Sequence, residues 1–129
     1  MIIKHVIISV AIPAACILTL LAGYEYRTQY ARNEIKTYYS DDHSYRLVIY
    51  SIGEPEFPFG PGKCRFVLSG EGKKIHEFDF TMYNDGKWPD ADNFDVSWMS
   101  DGVRIIVNGE EQEDKTYTLL FDGRILSEQ

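Results

Sequence analysis

The sequence predicts a mainly β protein, in which an N-terminal transmembrane helix precedes a small antiparallel β-meander. The meander is predicted to have about six or seven strands and to form a curled sheet or a sandwich. Three observations predict this fold. The segment Val6–Gly23 has no charged residue, the chain after Ser44 alternates apolar and polar residues in short runs, and glycine-containing turn dipeptides separate those runs.

The chain divides into three predicted parts. Residues 1–23 are a transmembrane anchor or signal segment, residues 24–43 a juxtamembrane helical stalk and linker, and residues 44–129 an antiparallel β domain. All 20 acidic residues and 12 of the 13 basic ones follow the apolar segment, so the remainder carries a net charge of −8. An acidic domain is a poor candidate for binding nucleic acid, because nucleic-acid phosphates bind Lys and Arg side chains. It would instead attract a basic protein partner.

The apolar segment is long enough to be a membrane span. Eighteen uncharged residues make a helix of about 27 Å, close to the hydrocarbon thickness of about 30 Å. Pro13 does not argue against insertion, because membrane helices tolerate proline. Tyr24 and Tyr26 stand where an aromatic belt is expected at the membrane surface.

Two other interpretations of this segment remain open. A cleaved secretory signal is consistent with the basic start at Lys4 and His5, but the segment ends without small residues at both positions that a cleavage site requires. A lipoprotein signal would make Cys16 the new N-terminus. There Pro13 stands where a large aliphatic residue is usual, and no polar tether follows the cysteine. The uncleaved anchor fits the residues best.

The orientation of the span has two indicators that disagree. Arg27, Arg32 and Lys36 follow the segment, and a strict positive-inside count therefore directs the C-terminal domain to the cytoplasm. A short basic head followed directly by an apolar run is, however, the pattern of an export signal, and long domains translocate largely regardless of charge. We therefore expect a single-pass protein of the bacterial inner membrane whose C-terminal domain is periplasmic.

The segment after the apolar run is predicted to prolong the helix. Residues 24–37 contain charged residues and helix formers and no Gly or Pro, and the helix is expected to break near residue 39. This segment is interpreted as a solvated stalk between the membrane and the first strand.

Short β-type runs follow Ser44. In the third run, His76, Phe78, Phe80 and Met82 share one face, as a strand with one wet face requires. Asp101-Gly102 is predicted to form a two-residue primed turn with positive φ values, and similar chemistry recurs at two later dipeptides, Asn108-Gly109 and Asp122-Gly123. The runs are SYRLVIYSI, GKCRFVLSG, KIHEFDFTM, NFDVSWMS, GVRIIVNG and KTYTLLFD, with RIL as a seventh.

Two irregular loops are predicted to carry a binding surface. Loop 53–62 has three prolines and three glycines, and loop 83–95 mixes a turn with closely spaced aspartates. Large aromatic side chains on such loops resemble interface hot spots, whereas Phe94 and Trp98 are expected in the core. The predicted binding residues are the aromatic Phe57, Phe59 and Trp88 with an acidic rim of Glu54, Glu56, Asp85 and Asp90.

No motif nominates catalysis, a metal or a cofactor. Walker, nucleophile-elbow and dinucleotide patterns are absent from the sequence, so we expect no enzymatic activity. Asp90, Asp92 and Asp95 do not follow the EF-hand spacing, and the scattered histidines do not have zinc-site spacing. Cys64 is predicted to be a small buried apolar residue. The acidic run 110–114 is interpreted as a polar connection, or alternatively as a docking patch for basic side chains.

The segments SYRLVIYSI, PGKCRFVLSGEGK and DVSWMSDGVRI together resemble small enterobacterial proteins that pair an N-terminal export or anchor segment with a short all-β domain. The resemblance transfers no site residues. Some small exported proteins of this build are immunity proteins, which occlude the active site of a toxin. The resulting hypothesis is a membrane-anchored, periplasm-facing protein-binding domain, with an accessory subunit of a membrane complex as the alternative and a hydrolase or ligand carrier as a third.

Overall fold

The structure, a computed structural model, describes residues 2–128 and begins with one long helix. Helix α1, Ile2–Gln29, contains Pro13 in its interior and has no buried residue. It is long and apolar enough to cross a membrane, a property that a signal sequence shares. The remaining described chain is built of strands, which confirms the predicted mainly β fold behind an N-terminal apolar helix.

The predicted helical stalk is wrong over most of its length. The backbone N–H groups of Tyr30 and Ala31 both bond to the carbonyl of Tyr26, at 2.9 and 2.8 Å, and the helix ends there. Strand β1, Arg32–Tyr39, follows at once and pairs antiparallel with β2, Tyr45–Ile52. Its β-branched and aromatic residues favour a strand, and pairing with β2 outweighs the absence of a helix breaker. The β domain therefore begins near residue 32 rather than at 44.

In residues 2–128, eight strands form two four-stranded antiparallel sheets, one strand more than the upper end of the prediction. The first sheet has the order β1-β2-β3-β4 and the second β5-β6-β7-β8. One turn of 3-10 helix, Ala91–Asn93, precedes β5. The other strands are β3 (Gly62–Gly70), β4 (Lys73–Met82), β5 (Phe94–Trp98), β6 (Gly102–Val107), β7 (Lys115–Leu120) and β8 (Ile125–Glu128).

The two sheets pack face to face around one core, so the β domain is a sandwich. Phe66 of β3 lies 5.9 Å from Tyr117 of β7 and 6.0 Å from Phe94 of β5, measured between ring centroids. The predicted alternation of β4 and the predicted burial of Cys64 and Phe94 are confirmed, while Trp98 is partly buried against the core. The fully buried side chains are Phe66, Leu47, Ile49, Leu68, Met82, Ile105, Leu119, Val103, Val107 and Cys64.

The turns differ from the predicted ones. The hairpin joining β5 and β6 turns at Ser100-Asp101, and Met99 N–H bonds to Gly102 carbonyl at 2.8 Å. Neither Asp101 nor Gly102 has positive φ, so the predicted primed turn is wrong there. The primed geometry occurs instead between β3 and β4, at Glu71 (φ 52°) and Gly72 (φ 73°). Of the other two predicted turn dipeptides, Asp122-Gly123 has a positive φ, at Gly123. Asn108-Gly109 has none and begins the longer loop 108–114.

The meander places its connections alternately at two ends of the sandwich. Loops 53–61, 83–93 and 108–114 lie at the end where α1 joins β1, which we call the helix-proximal end. Two contacts order this end: Gly53 N–H bonds to the carbonyl of Ala31, between α1 and β1, at 2.7 Å, and Glu111 N–H bonds to Tyr83 carbonyl of a second loop at 3.2 Å. The turns 40–44, 71–72, 99–101 and 121–124 lie at the far end.

Candidate protein-binding surface

The seven predicted binding residues all lie at the helix-proximal end, on loops 53–61 and 83–93. Their three aromatic side chains are exposed, with 96% of Phe57, 67% of Phe59 and 49% of Trp88 accessible to solvent. Such exposure of large apolar side chains on neighbouring loops is a feature of interaction sites. The binding residues predicted from the sequence therefore lie together at one end of the molecule.

The two loops pack against each other. Gly86 lies so close to loop 53–61 that a Cβ atom there would sit 2.3 Å from the carbonyl oxygen of Pro58 and 2.9 Å from the Cα of Phe59. Pro89 is buried next to Gly62, where a Cβ atom would lie 3.6 Å from its Cγ. Phe59 and Trp88 thus belong to adjoining segments. We call Phe59, Trp88, Glu56, Asp85 and Asp90 the two-loop surface.

Hydrogen bonds order loop 83–93. The buried Asn84 side chain accepts from the backbone N–H of Glu110 at 3.3 Å, and Asn93 Nδ2 donates to Asn108 carbonyl at 2.8 Å. Asp90 caps the 3-10 turn, accepting from Asp92 N–H at 2.8 Å, while the Asn93 side chain accepts from Asp90 N–H at 3.0 Å. This reciprocal pattern is a capping box.

Two aspartates of the predicted loop 83–95 have structural roles. Asp90 belongs to the capping box, and Asp95 accepts a hydrogen bond of 3.2 Å from Asn108 Nδ2. Within residues 2–128, no group of three or more His, Cys, Asp and Glu residues is arranged to hold a metal ion.

Acidic groups from a third loop adjoin this surface. Asp85 lies close to Glu111, and burial together with the neighbouring Asp85 carboxylate raises the pKa of Glu111 above its usual value. Lys87 forms an ion pair of 2.5 Å with Glu110, whose hydrogen bond raises the lysine pKa. Two like-charged carboxyl groups so close together favour a nearby cation. The acidic run 110–114 was interpreted as a docking patch only as an alternative, and the fold places it beside Asp85.

Glu54 differs from the other rim residues because it contacts helix α1. Its carboxylate lies 3.5 Å from Arg27 Nε, and its backbone N–H donates to Thr28 carbonyl at 2.8 Å. Glu54 therefore holds loop 53–61 against the end of the helix.

A groove lies between the end of α1 and loop 53–61. It has a volume of about 620 Å³ and is open to solvent. Phe57 lines this groove together with Tyr24, whereas Phe59 is not among the lining residues and its Cα lies close to Gly86. Sequence reasoning did not identify the groove, because it depends on where the helix ends. Its lining residues are Tyr24, Thr28, Gln29, Ile52, Glu54, Pro55, Glu56, Phe57, Pro61, Lys63 and Thr81.

The chain matches no protein-family model, no curated protein and no solved structure at a significant level. The resemblance to small enterobacterial membrane-anchored proteins therefore stays a prediction.

Proposed function

We propose that this chain is a membrane-anchored protein-binding domain. In this proposal, α1 remains uncleaved as a single span of a bacterial inner membrane and the β domain lies in the periplasm. The two-loop surface holds a partner protein in the manner of an immunity or inhibitor protein. The observation that carries the proposal is the exposure of Phe59 and Trp88 on two loops that are packed together.

The geometry of the two loops suits recognition of a folded partner. Backbone and side-chain hydrogen bonds order loop 83–93, and Gly86 joins it to loop 53–61. Loops that are ordered before binding lose less conformational entropy when a partner arrives, which favours affinity. Aromatic side chains in the centre of an interface with a charged rim form the usual pattern of hot spots.

The charge of the surface favours a basic partner. Asp85 and Glu111 lie close together, Glu56 and Asp90 are exposed on the same two loops as Phe59 and Trp88, and the whole chain carries a net charge of −7. Lysine or arginine side chains of a partner would relieve the repulsion between these carboxylates. Such complementarity raises the association rate and makes it sensitive to salt.

The accessory-subunit alternative would make its contacts through the anchor and the stalk. Residues 24–29 belong to α1, but residues 32–39 are strand β1 of the first sheet. A subunit of that kind would have to make its contacts through α1 itself.

Site-specific photocross-linking of the full-length protein in bacterial cells tests the proposal. A photoreactive phenylalanine analogue replaces Trp88 or Phe59, and Asp101 at the far end serves as the control position. We expect one cross-linked protein from positions 88 and 59 and none from position 101. Equal cross-linking from both ends, or no product at positions 88 and 59, would contradict the proposal.

A charge-reversal pair tests the role of the acidic rim in the same cells. Glu56→Lys is expected to reduce the cross-linked product at position 88 several-fold, because like charges destabilise an interface with a basic partner. Asp101→Lys is the matched control and should leave the product unchanged. The same yield from both variants would exclude an electrostatic contribution from the rim.

A further inference from the structure

Phe57 is set apart from the two-loop surface. It has the greatest exposure of the large apolar side chains in residues 2–128, at 96%, and it faces the groove that Tyr24 also lines. Phe59 is not among the residues that line this groove, and its Cα lies close to Gly86. The two phenylalanines are therefore placed to contact different partners.

The position of Phe57 relative to the apolar segment is determined by contacts with α1. Two backbone hydrogen bonds, Gly53 to Ala31 at 2.7 Å and Glu54 to Thr28 at 2.8 Å, fix loop 53–61 to the end of the helix. Thr28 lies five residues beyond Gly23, which in a helix corresponds to about 7.5 Å, and Tyr24 lies about 1.5 Å beyond it.

These heights match the headgroup region of a bilayer. That region is roughly 5 to 8 Å thick on each side of the hydrocarbon core. If the core ends at Gly23, Tyr24 stands at its boundary and Thr28 near the outer limit of the headgroups. Phe57 lines the same groove as these two residues, which places it beside this part of the helix.

We propose that Phe57 inserts into the headgroup region of the bilayer and gives the β domain a second attachment to the membrane. This inference rests on the proposed function in one respect, namely that α1 stays in the membrane. Aromatic side chains favour this region, and Tyr24 beside Phe57 is of the same kind. Lys63 lines the groove and Arg27 lies in the last turn of α1, and both are cations that can lie next to lipid phosphates.

The contact is apolar in character and does not depend on anionic lipid. Glu54 and Glu56 flank Phe57, and anionic headgroups would repel their carboxylates. Zwitterionic phosphatidylcholine is accordingly the lipid of choice for the test, and the purified protein contains no partner that could cover Phe57.

Fluorescence quenching in vesicles tests the inference with the full-length protein. In a Cys16→Ser background, Phe57→Cys, Phe59→Cys and Asp101→Cys variants carry an environment-sensitive fluorophore in phosphatidylcholine vesicles. A doxyl spin label high on the acyl chain is the quencher. The background protein without an added cysteine controls for labelling of Cys64, and circular dichroism checks that each variant keeps the β fold.

We expect the label at position 57 to emit at shorter wavelength and to be quenched several-fold more than the label at position 101, with position 59 close to 101. Quenching at 57 no greater than at 101 overturns the inference, and equal quenching at 57 and 59 overturns the separation of the two phenylalanines. Alkaline carbonate washing distinguishes the cause. A protein that stays in the bilayer with position 57 in water contradicts only the lipid contact, whereas a protein that is washed off contradicts the membrane span as well.

Discussion

The backbone N–H of Glu54 donates a hydrogen bond of 2.8 Å to the carbonyl oxygen of Thr28. This bond joins loop 53–61 to the last turn of α1, whose terminal carbonyl groups have no partner within the helix. The Arg27–Glu54 ion pair lies at the same place. The loop that carries Phe57 and Phe59 is therefore held at a defined distance from the apolar segment.

Gly53→Ala is expected to break this junction. Gly53 has φ 66°, and a Cβ atom there would lie 2.3 Å from Thr28 carbonyl oxygen. Gly72 is a matched control, because its φ of 73° is similar but nothing lies within 4 Å. Gly72→Ala should cost about 1 to 2 kcal/mol from backbone conformation alone, and Gly53→Ala at least about 1 kcal/mol more. Thermal unfolding in detergent measures both, and equal losses would show that the Gly53 contact is unimportant.

The β domain is expected to fold without α1. No residue of α1 is buried, and the core lies between the two sheets, so residues 31–129 contain all of it. A fragment of residues 38–129 lacks most of β1 and leaves the edge of β2 unpaired. We expect cooperative unfolding and a β-type circular dichroism spectrum from the longer fragment, and lower stability or aggregation from the shorter one. Equal stability of the two fragments would mean that β1 contributes nothing to the sheet.

Cys64 is expected to resist alkylation in the folded protein. Burial raises the pKa of its thiol to about 12, so at pH 8 only about one thiol in ten thousand is ionised. In a Cys16→Ser background, iodoacetamide should modify Cys64 at a negligible rate until denaturant is added. Because the pKa of this thiol is higher in the folded than in the unfolded state, its contribution to the free energy of unfolding is fully present below the unfolded pKa of about 8.5. That contribution is lost as the pH rises toward 12. Rapid alkylation under native conditions would show that the side chain is accessible.

Asp79 is expected to make stability depend on acid pH. Arg65 opposes it across β3 and β4, with Nε 2.6 Å and Nη2 2.9 Å from the two carboxylate oxygens. The hydrogen bonds from Arg65 lower the pKa of Asp79, so the stabilisation is present above the unfolded pKa of about 3.9 and is lost as the pH falls through the folded value. The pair is exposed, so Asp79→Asn should cost about 0.5 kcal/mol at pH 7 and little below pH 3.

Urea unfolding at several pH values measures this difference. Asp101→Asn, at an exposed position of the far end that forms no ion pair with Arg65, is the control. A cost of Asp79→Asn that is independent of pH would mean that the ion pair does not form.

Strands with one apolar and one polar face could be identified from the sequence, because their residues alternate. In β4 the large residues occupy every second position, and Cys64 of β3 is buried as its apolar neighbours suggested. The sequence did not predict β1, because this edge strand buries little and only Ile35 and Tyr38 contact the core. It also misplaced one turn, because Gly102 is needed for close approach to Leu119 carbonyl oxygen, at 2.4 Å from a Cβ atom, rather than for positive φ.

The candidate surface was predictable in composition but not in arrangement. Exposed aromatic residues on loops rich in Pro and Gly could be named from their surroundings. That Phe57 lies at the groove beside α1 and Phe59 near Gly86 depends on which loops the meander brings to one end. It also depends on the length of α1, because the helix ends at Gln29 and Tyr24 therefore lines the same groove as Phe57.

The intact mass of the protein in carbonate-washed inner membranes tests the central claim most directly, when it is combined with protease access in spheroplasts. The account predicts a chain of 14.9 kDa that retains α1 and a β domain that protease reaches from the periplasmic side. A shorter chain that begins after Gly23, a lipid-modified N-terminus at Cys16, or a β domain protected in spheroplasts would contradict it.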